Sequence, residues 1–259
     1  MGSGTWIALL FGNINQFILQ QTEVHHSNGY GVLIVDSVQV KILSSNFSHN
    51  NHQVLDCYQG GIERINVSCC HKLPRQNETE GNCNGGNIVV INTDTAIHAM
   101  KTQTLTLNTS ITEGVNLDTQ QYFNENYTHT AGGLSIFADH SSYSEVVLIS
   151  RCKIARNVGH NGGNMVLYIH DNIGSNYRVS ITQTQFLNGN VGFQPFGKTA
   201  QAGGLLIKFG YVDEHRRVST SHPLIRKEVS IEHSTFIGNH AFTAAAVLFH
   251  SYIARDKYM

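Results

Sequence analysis

The chain has 259 residues, 41% of them hydrophobic, which is enough for a continuous core in one large domain. Only 14% are charged, against about 25% in an average soluble domain, and 17 basic and 18 acidic residues leave a formal net charge of -1. This composition excludes coiled coils and long charged helices, argues against disorder, and, with no Lys/Arg run, leaves no nucleic-acid footprint. There are 24 Gly but only 3 Pro, so surface polarity comes from Asn, Ser, Thr, Gln and His, a mixture suited to short strands and tight turns.

In chain order, the first element is the apolar run Trp6-Ile7-Ala8-Leu9-Leu10-Phe11. It lacks a basic leader and a small-residue cleavage site, so it reads poorly as a signal peptide. No stretch approaches the ~18 apolar residues of a membrane span. The apolar run that closes the chain before Met259 has no polar cap, and the expectation is that both ends are cut from something larger.

A repeat then starts, of the form Val-x-Ile-x-x-(small)-x-(Phe/Ile)-x-x-(Asn/Gly). A degenerate copy is Phe17-Leu19-Thr22-Val24-Ser27, followed by Val40-Ile42-Ser45-Phe47-Asn50. Leu105 to Gly114 is a copy with one residue lost. The later copies are Val147-Ile149-Cys152-Ile154-Asn157, Val179-Ile181-Thr184-Phe186-Gly189 and Val229-Ile231-Ser234-Phe236-Asn239. Before each lies a small or Gly-Gly pair and an apolar strand, beginning at Gly4, Gly31, Gly86, Gly133, Gly163 and Gly204, with Ala244-Ala245-Ala246-Val247-Leu248-Phe249 last. The shortest periods are about thirty residues.

Val-x-Ile is a period-2 strand signal. The two residues after it break the alternation, so the chain turns a corner at the small residue. A second short strand follows and ends at Asn or Gly, residues that tolerate left-handed backbone. A unit that bends three times in about thirty residues cannot bury its apolar side alone, whereas stacked units can. The predicted fold is all-β: a right-handed parallel β-helix, a solenoid of about six coils. It forms one domain over 1–259 with a Cys-bearing insertion at 51–84. Scarce Pro agrees with inter-strand ladders. A β-sandwich or propeller is the alternative, but a propeller blade carries a Trp-Asp signature, and the one Trp here is Trp6.

Gly-Gly-Leu-Ser-Ile at 132–136 and Gly-Gly-Leu-Leu-Ile at 203–207 resemble the Gly-Gly-apolar-x-Ile repeats of polymorphic outer-membrane autotransporters. Phe47-Ser48-His49-Asn50 and Phe236-Ile237-Gly238-Asn239 resemble their Phe-x-x-Asn repeats. The chain is also similar to animal right-handed β-helix repeat proteins. It departs from the pattern at Ile154, Gly189 and Ala244–Ala246. The resemblance implies a surface or secreted protein with adhesive or recognition roles, and it carries over no catalytic residue.

Three groups of residues are candidates for chemistry. Cys57, Cys69, Cys70 and Cys83 lie together in the insertion, where two disulfides with three possible pairings compete with zinc and with free thiols. Adjacent Cys69-Cys70 suit zinc poorly. Cys152 sits at the small-residue position and reads as buried and unreactive. Asn-x-Ser/Thr sequons occur at Asn46, Asn66, Asn77, Asn108 and Asn126, about the number that chance gives in so Asn- and Thr-rich a chain. The clustered Cys and the repeat type point to an extracellular or cell-surface location, hence a glycoprotein.

The third group is an Asp after nearly every Gly-Gly strand: Asp36, Asp94, Asp139, Asp171 and Asp213, with His140, His170 and His215 beside three of them. Stacked in register they would line one edge, suited to a glycan or protein ligand. No cofactor or metal is predicted, and calcium is the one ion this edge suits. Against this, Asp commonly caps a turn through its own backbone, and that is the simpler reading.

The variable segments 138–145, 170–177 and 210–227 form the candidate binding rim. Further coils of a longer parent protein are a second class of partner. An enzyme of this fold, a polysaccharide lyase or glycoside hydrolase using Asp94, Asp139 and Asp171, is the runner-up. Asn92-Thr93-Asp94 matches the first motif of pectin-type hydrolases, but the chain has no Asp-Asp pair. The fifteen His are otherwise scattered among turns.

Overall fold

The structure is a computed structural model. It describes residues 7–12, 14–27, 29–50, 86–92, 103–116, 131–140, 145–159, 162–171, 177–191, 201–209 and 227–251. All regular elements among them are strands. The first repeat holds β1 (Ile7–Gly12), β2 (Gln16–Gln20) and β3 (Glu23–His25), and the second holds β4 (Tyr30–Val35) and β5 (Gln39–Ser48). The third comprises β6 (Gly86–Asn92), β7 (Gln103–Thr112) and β8 (Val115–Asn116). The fourth comprises β9 (Leu134–His140), β10 (Glu145–Ser150), β11 (Lys153–Ala155) and β12 (Val158–Gly159). The fifth comprises β13 (Met165–Asp171), β14 (Tyr177–Thr182), β15 (Gln185–Leu187) and β16 (Asn190–Val191). The sixth has β17 (Leu205–Phe209), β18 (Lys227–Glu232) and β19 (Thr235–Ile237), and β20 (Val247–Ser251) opens a seventh.

Every strand pairing among the described residues is parallel. The sandwich and propeller alternatives require antiparallel sheets. One seven-stranded sheet runs β1-β4-β6-β9-β13-β17-β20, in chain order. A second sheet collects the Val-x-Ile and small-x-Phe strands, and a three-stranded sheet collects β16-β12-β8. Within the second sheet the register matches the repeat residue for residue. Phe17, Val40, Leu105, Val147, Val179 and Val229 form one row, and Val24, Phe47, Ile111, Ile154, Phe186 and Phe236 form another. The residue lost in the third copy appears as a register shift between Leu43 and Ser45, opposite Asn108 and Thr109.

The two large sheets share one core. Val32, Ile34, Ile88, Ile136, Leu167 and Ile207 of the first lie in the same buried cluster as the Val, Ile and Phe rows of the second. The second sheet alternates buried and outward positions, as in β14. The first does not: Leu33, Val89, Phe137, Val166, Tyr168 and Leu206 are buried in a separate cluster. Both of its faces are therefore dry, which is why its sequences are continuous apolar runs.

Two corners carry left-handed residues in every repeat but the third, which lacks the one at its first corner. At the first are Gln21, Ser44, Arg151, Gln183 and His233, each one residue before the small position. At the second are His26, His49, Glu113, Arg156, Asn188 and Gly238, each one residue before the terminal Ser, Asn or Gly. The sequence expectation put the left-handed conformation on the Asn or Gly itself. It belongs instead to the residue before, and the Asn has a different task.

Asn50, Asn87, Asn157, Asn164 and Asn239 are buried, one from each successive repeat. Asn50 Nδ2 donates to Asn87 Oδ1 at 2.7 Å, Asn87 Nδ2 to Asn157 Oδ1 at 3.2 Å, Asn157 Nδ2 to Asn164 Oδ1 at 2.9 Å, and Asn164 Nδ2 to Asn239 Oδ1 at 2.9 Å. The amides also take backbone partners, such as Gly114 N–H to Asn157 Oδ1 and Asn157 Nδ2–H to Ile111 O. A shorter ladder runs along the small residues. Thr22 N–H donates to Ser45 Oγ, Thr109 N–H to Cys152 Sγ, Cys152 N–H to Thr184 Oγ1, and Thr184 N–H to Ser234 Oγ. Among the described residues no helix is long and apolar enough to cross a membrane.

Candidate functional site

The carboxylate edge forms where strands of the seven-stranded sheet end. β9 finishes Asp139-His140 and β13 finishes His170-Asp171. Their register sets Asp139 opposite His170 and His140 opposite Asp171. Two Asp and two His thus meet as cross-strand pairs on neighbouring strands, immediately before residues 141–144 and 172–176 lead to the second sheet. Successive strand positions alternate between the two faces of a sheet. Asp139 and Asp171 therefore occupy positions of opposite parity, each matched with a histidine rather than with the other aspartate.

Asp36 follows β4 in a left-handed conformation, φ 49°, and is buried; Ser37 Oγ donates to Val35 O in the same turn. That is the setting of a turn residue rather than of an exposed ligand. Asp94, Asp213 and His215 lie outside the described residues, as do Cys57, Cys69, Cys70, Cys83, Asn66, Asn77 and Asn126. Asn46 and Asn108 are half-buried on the outward side of β5 and β7, where their neighbours Ser45, Phe47, Leu107 and Thr109 point inward.

Cys152 is 2% exposed and holds a polar ladder position, with Sγ donating to Ser150 O. Burial pushes its thiol up to about 11, against smaller opposing effects of the backbone hydrogen bonds from Thr109 and to Ser150. The thiolate needed for nucleophilic or metal chemistry is thereby suppressed.

A second polar feature was not legible as a site in the sequence. The left-handed second corner projects a side chain from each of the first five repeats, and those of His26, His49, Glu113 and Arg156 form a column. The rings of His26 and His49 stack, with centroids 5.0 Å apart and 4° between planes. His49 Nε2 contacts Glu113 Oε2, and Arg156 Nη2 lies 2.7 Å from Glu113 Oε1. His25 Nδ1 lies 2.8 Å from His26 Nδ1. The constant offset, one residue before the terminal Ser, Asn or Gly of each copy, was the available signal. At the first corner, Arg151 Nε donates to Gln183 Oε1 at 3.0 Å. On the outer face of the first sheet, Lys208 Nζ lies 5.6 Å from the centroid of the buried Tyr168 ring, and burial lowers the Lys208 pKa.

These arrangements make hydrogen bonds and ion pairs along a regular surface. The backbone register matches Asp139 with His170 and His140 with Asp171 at the ends of β9 and β13. Comparison of the chain with protein families, with curated proteins and with solved structures finds no match.

Proposed function

We propose that the chain is a right-handed parallel β-helix of an extracellular or cell-surface protein and serves as a recognition scaffold for a glycan or protein ligand. The observation that carries this reading is the register of β9 and β13, which brings Asp139, His140, His170 and Asp171 together at one sheet end. A stacked parallel sheet holds that edge rigid, while the segments 141–144, 172–176 and 210–226 differ in length and supply variety beside it. Asp oxygens there suit sugar hydroxyls, directly or through calcium. The four clustered Cys and the repeat type support the extracellular assignment, with disulfides and glycans as its expected modifications.

The runner-up, a lyase or glycoside hydrolase, needs two carboxyl groups within about 5–10 Å facing one groove. The opposite parity of Asp139 and Asp171 favours recognition over that chemistry. The test is a glycan array probed with the secreted chain, with and without calcium, followed by incubation of each hit and mass analysis. Binding without cleavage that weakens at least tenfold in Asp139→Asn or Asp171→Asn supports the scaffold. Cleavage of a bound glycan replaces it with the enzyme.

A further inference from the structure

The outer surface around β11 and β15 is a lattice of six exposed side chains. In the fourth repeat Arg151 stands at the first corner, Lys153 on β11 and Arg156 at the second corner. In the fifth repeat Gln183, Gln185 and Asn188 hold the same three positions. All six are exposed, while Cys152, Ile154, Thr184 and Phe186 between them are buried. Lys153 is the register partner of Gln185. Arg151 N–H donates to Thr182 O at 3.0 Å and Arg156 N–H to Leu187 O at 2.8 Å, so each corner is bonded to the carbonyl just before its counterpart. The fifth repeat is held in the same way by the sixth, through Gln183 N–H to Glu232 O and Asn188 N–H to Ile237 O. The four corner residues share a left-handed backbone, φ between 49° and 56°. The backbone beneath the six side chains is thus fixed before any ligand arrives.

A row of cations therefore lies beside a row of neutral amides, about 4.8 Å away, the spacing of strands in a sheet. Charge is scarce along the chain, at 14% of residues, yet this one turn places three cations within six residues on one face. Arg151 Nε donates to Gln183 Oε1 at 3.0 Å, which orients its guanidinium. Arg156 meets Glu113, which His49 shares, and its side chain stays 59% exposed. Lys153 meets no carboxylate among the described residues. The outward positions of β11 and β15 and the corners beside them carry no acidic and no aromatic residue. Arginine and lysine only donate, and each amide adds two N–H groups, so the patch is rich in donors and poor in acceptors.

We propose that this patch binds a sulfated polysaccharide laid across the fourth and fifth repeats. Sulfate oxygens accept from Arg151, Lys153 and Arg156, and sugar hydroxyls pair with Gln183, Gln185 and Asn188. A guanidinium offers parallel N–H groups to two oxygens of one oxyanion, and the lysine adds a point charge. Nucleic acid fits less well. A single strand binds by stacking its bases on aromatic side chains, and this surface has none. The net charge of -1 also gives the molecule no long-range pull on polyanions, so attraction is confined to the patch. The patch lies on the second sheet and its corners, whereas Asp139 and Asp171 end strands of the first, so this proposal and the recognition edge can each fail alone.

The experiment reads fluorescence anisotropy of labelled heparin titrated with the intact chain at about 0.15 M salt. Hyaluronate, which carries carboxylates without sulfate, and single-stranded polyuridylate are the comparison polyanions. The expected result is saturable heparin binding, at least about tenfold tighter than either comparison and weakening as salt rises. Replacing Arg151, Lys153 and Arg156 together by Gln lowers heparin affinity at least about tenfold. Lys41→Gln, at an exposed outward position of the second repeat, changes it less than about twofold. Gln185→Lys carries the cationic row into the fifth repeat and tightens binding at least about threefold, a gain that misfolding does not produce. Absence of heparin binding, equal binding of hyaluronate or polyuridylate, or an affinity unmoved by both the triple substitution and Gln185→Lys overturns the proposal.

Discussion

A buried asparagine amide is costly unless each of its polar atoms is paired, because an unpaired buried donor or acceptor costs roughly 1–3 kcal/mol. The five ladder amides meet that condition by alternating their place in the repeat. In the second and fourth repeats the Asn stands at the end, as Asn50 and Asn157, and Gly31 and Gly133 stand at the start; in the third and fifth, Asn87 and Asn164 stand at the start, and Gly114 and Gly189 stand at the end. The glycine is required by a backbone carbonyl, Asn164 O at Gly133 and Gly203 O at Gly189, and also by the amide opposite. A Cβ on Gly133 would lie 2.8 Å from Asn157 Nδ2, and one on Gly189 would lie 2.5 Å from Asn164 Nδ2. Gly133→Asn and Asn157→Gly are each expected to cost about 2–4 kcal/mol, the first by overpacking and the second by leaving Gly114 N–H and one Asn87 Nδ2 hydrogen without their acceptor, the other remaining on Thr112 O. The double substitution moves one amide across the repeat and is expected to cost at least about 1 kcal/mol less than the sum. Urea unfolding of the four proteins measures this coupling, and strict additivity would refute the reciprocal fit.

Cys152 tests the other ladder. With its pKa raised to about 11 by burial, the native thiol is protonated at pH 8 and is expected to resist iodoacetamide, labelling only after unfolding; peptide mapping reads this directly. Burial of the neutral thiol contributes its full stability below the unfolded thiol's ordinary value near 8.5, and that contribution is lost as pH rises toward 11. Cys152→Ser restores the hydroxyl that Ser45, Thr184 and Ser234 supply in other repeats and is expected to cost under about 1 kcal/mol. Cys152→Val leaves Thr109 N–H without its acceptor and is expected to cost about 1–3 kcal/mol. Equal losses for Ser and Val would mean that Sγ only fills space.

At the scale of elements, what the sequence showed depended on whether a residue's role recurs at a fixed offset. Val40, Val147, Val179 and Val229 recur in a period-2 frame, and that frame predicts their register in the second sheet, including the residue lost near Asn108. The first sheet was legible as apolar runs after Gly pairs, but a continuous run does not say which side chains face which core. Leu33 and Val32 look alike in sequence, yet they lie in different clusters. The terminal Asn was visible and its physical role was misjudged, because a residue that tolerates left-handed backbone and one that ladders its amide leave the same letter. His49 then carries the backbone conformation at a cost of roughly 1–2 kcal/mol, which the paired amide of Asn50 beside it offsets. Of the candidate edge, aligning Gly132-Gly133 with Gly162-Gly163 gives an offset of thirty residues and would set His140 opposite His170; the observed offset is thirty-one, so the cross-strand matching of each Asp with a His was not legible from the Gly pairs. Nor was the His26, His49, Glu113 and Arg156 column, since its members share a position but no chemistry. Hydrogen-bonded position, not residue type, is what repeats there.

At the scale of the whole molecule, burial among the described residues falls toward the last strands of the second sheet, as expected where strands in a row cover one another. Phe186 lies between Ile154 and Phe236 in one row and is fully buried, while Phe236 has a described row neighbour on one side only and is half-buried. Truncating a buried Phe typically costs 3–5 kcal/mol through lost transfer energy and the cavity that remains, and a half-exposed ring loses about half the transfer part with little cavity. Phe186→Ala is therefore expected to lower unfolding stability by about 4 kcal/mol and Phe236→Ala by about 2 kcal/mol. In a nearest-neighbour stack the two losses also differ in reach. Removing Phe186 uncouples the fifth repeat from both sides, so hydrogen exchange should quicken in β11, β15 and β19 together. Removing Phe236 should quicken exchange in β19 and leave β11 as protected as before. Urea unfolding gives the magnitudes and native-state exchange gives the reach. Equal losses with equal reach would mean that the strands form one all-or-none core, and nearest-neighbour coupling along the rows would have to be abandoned.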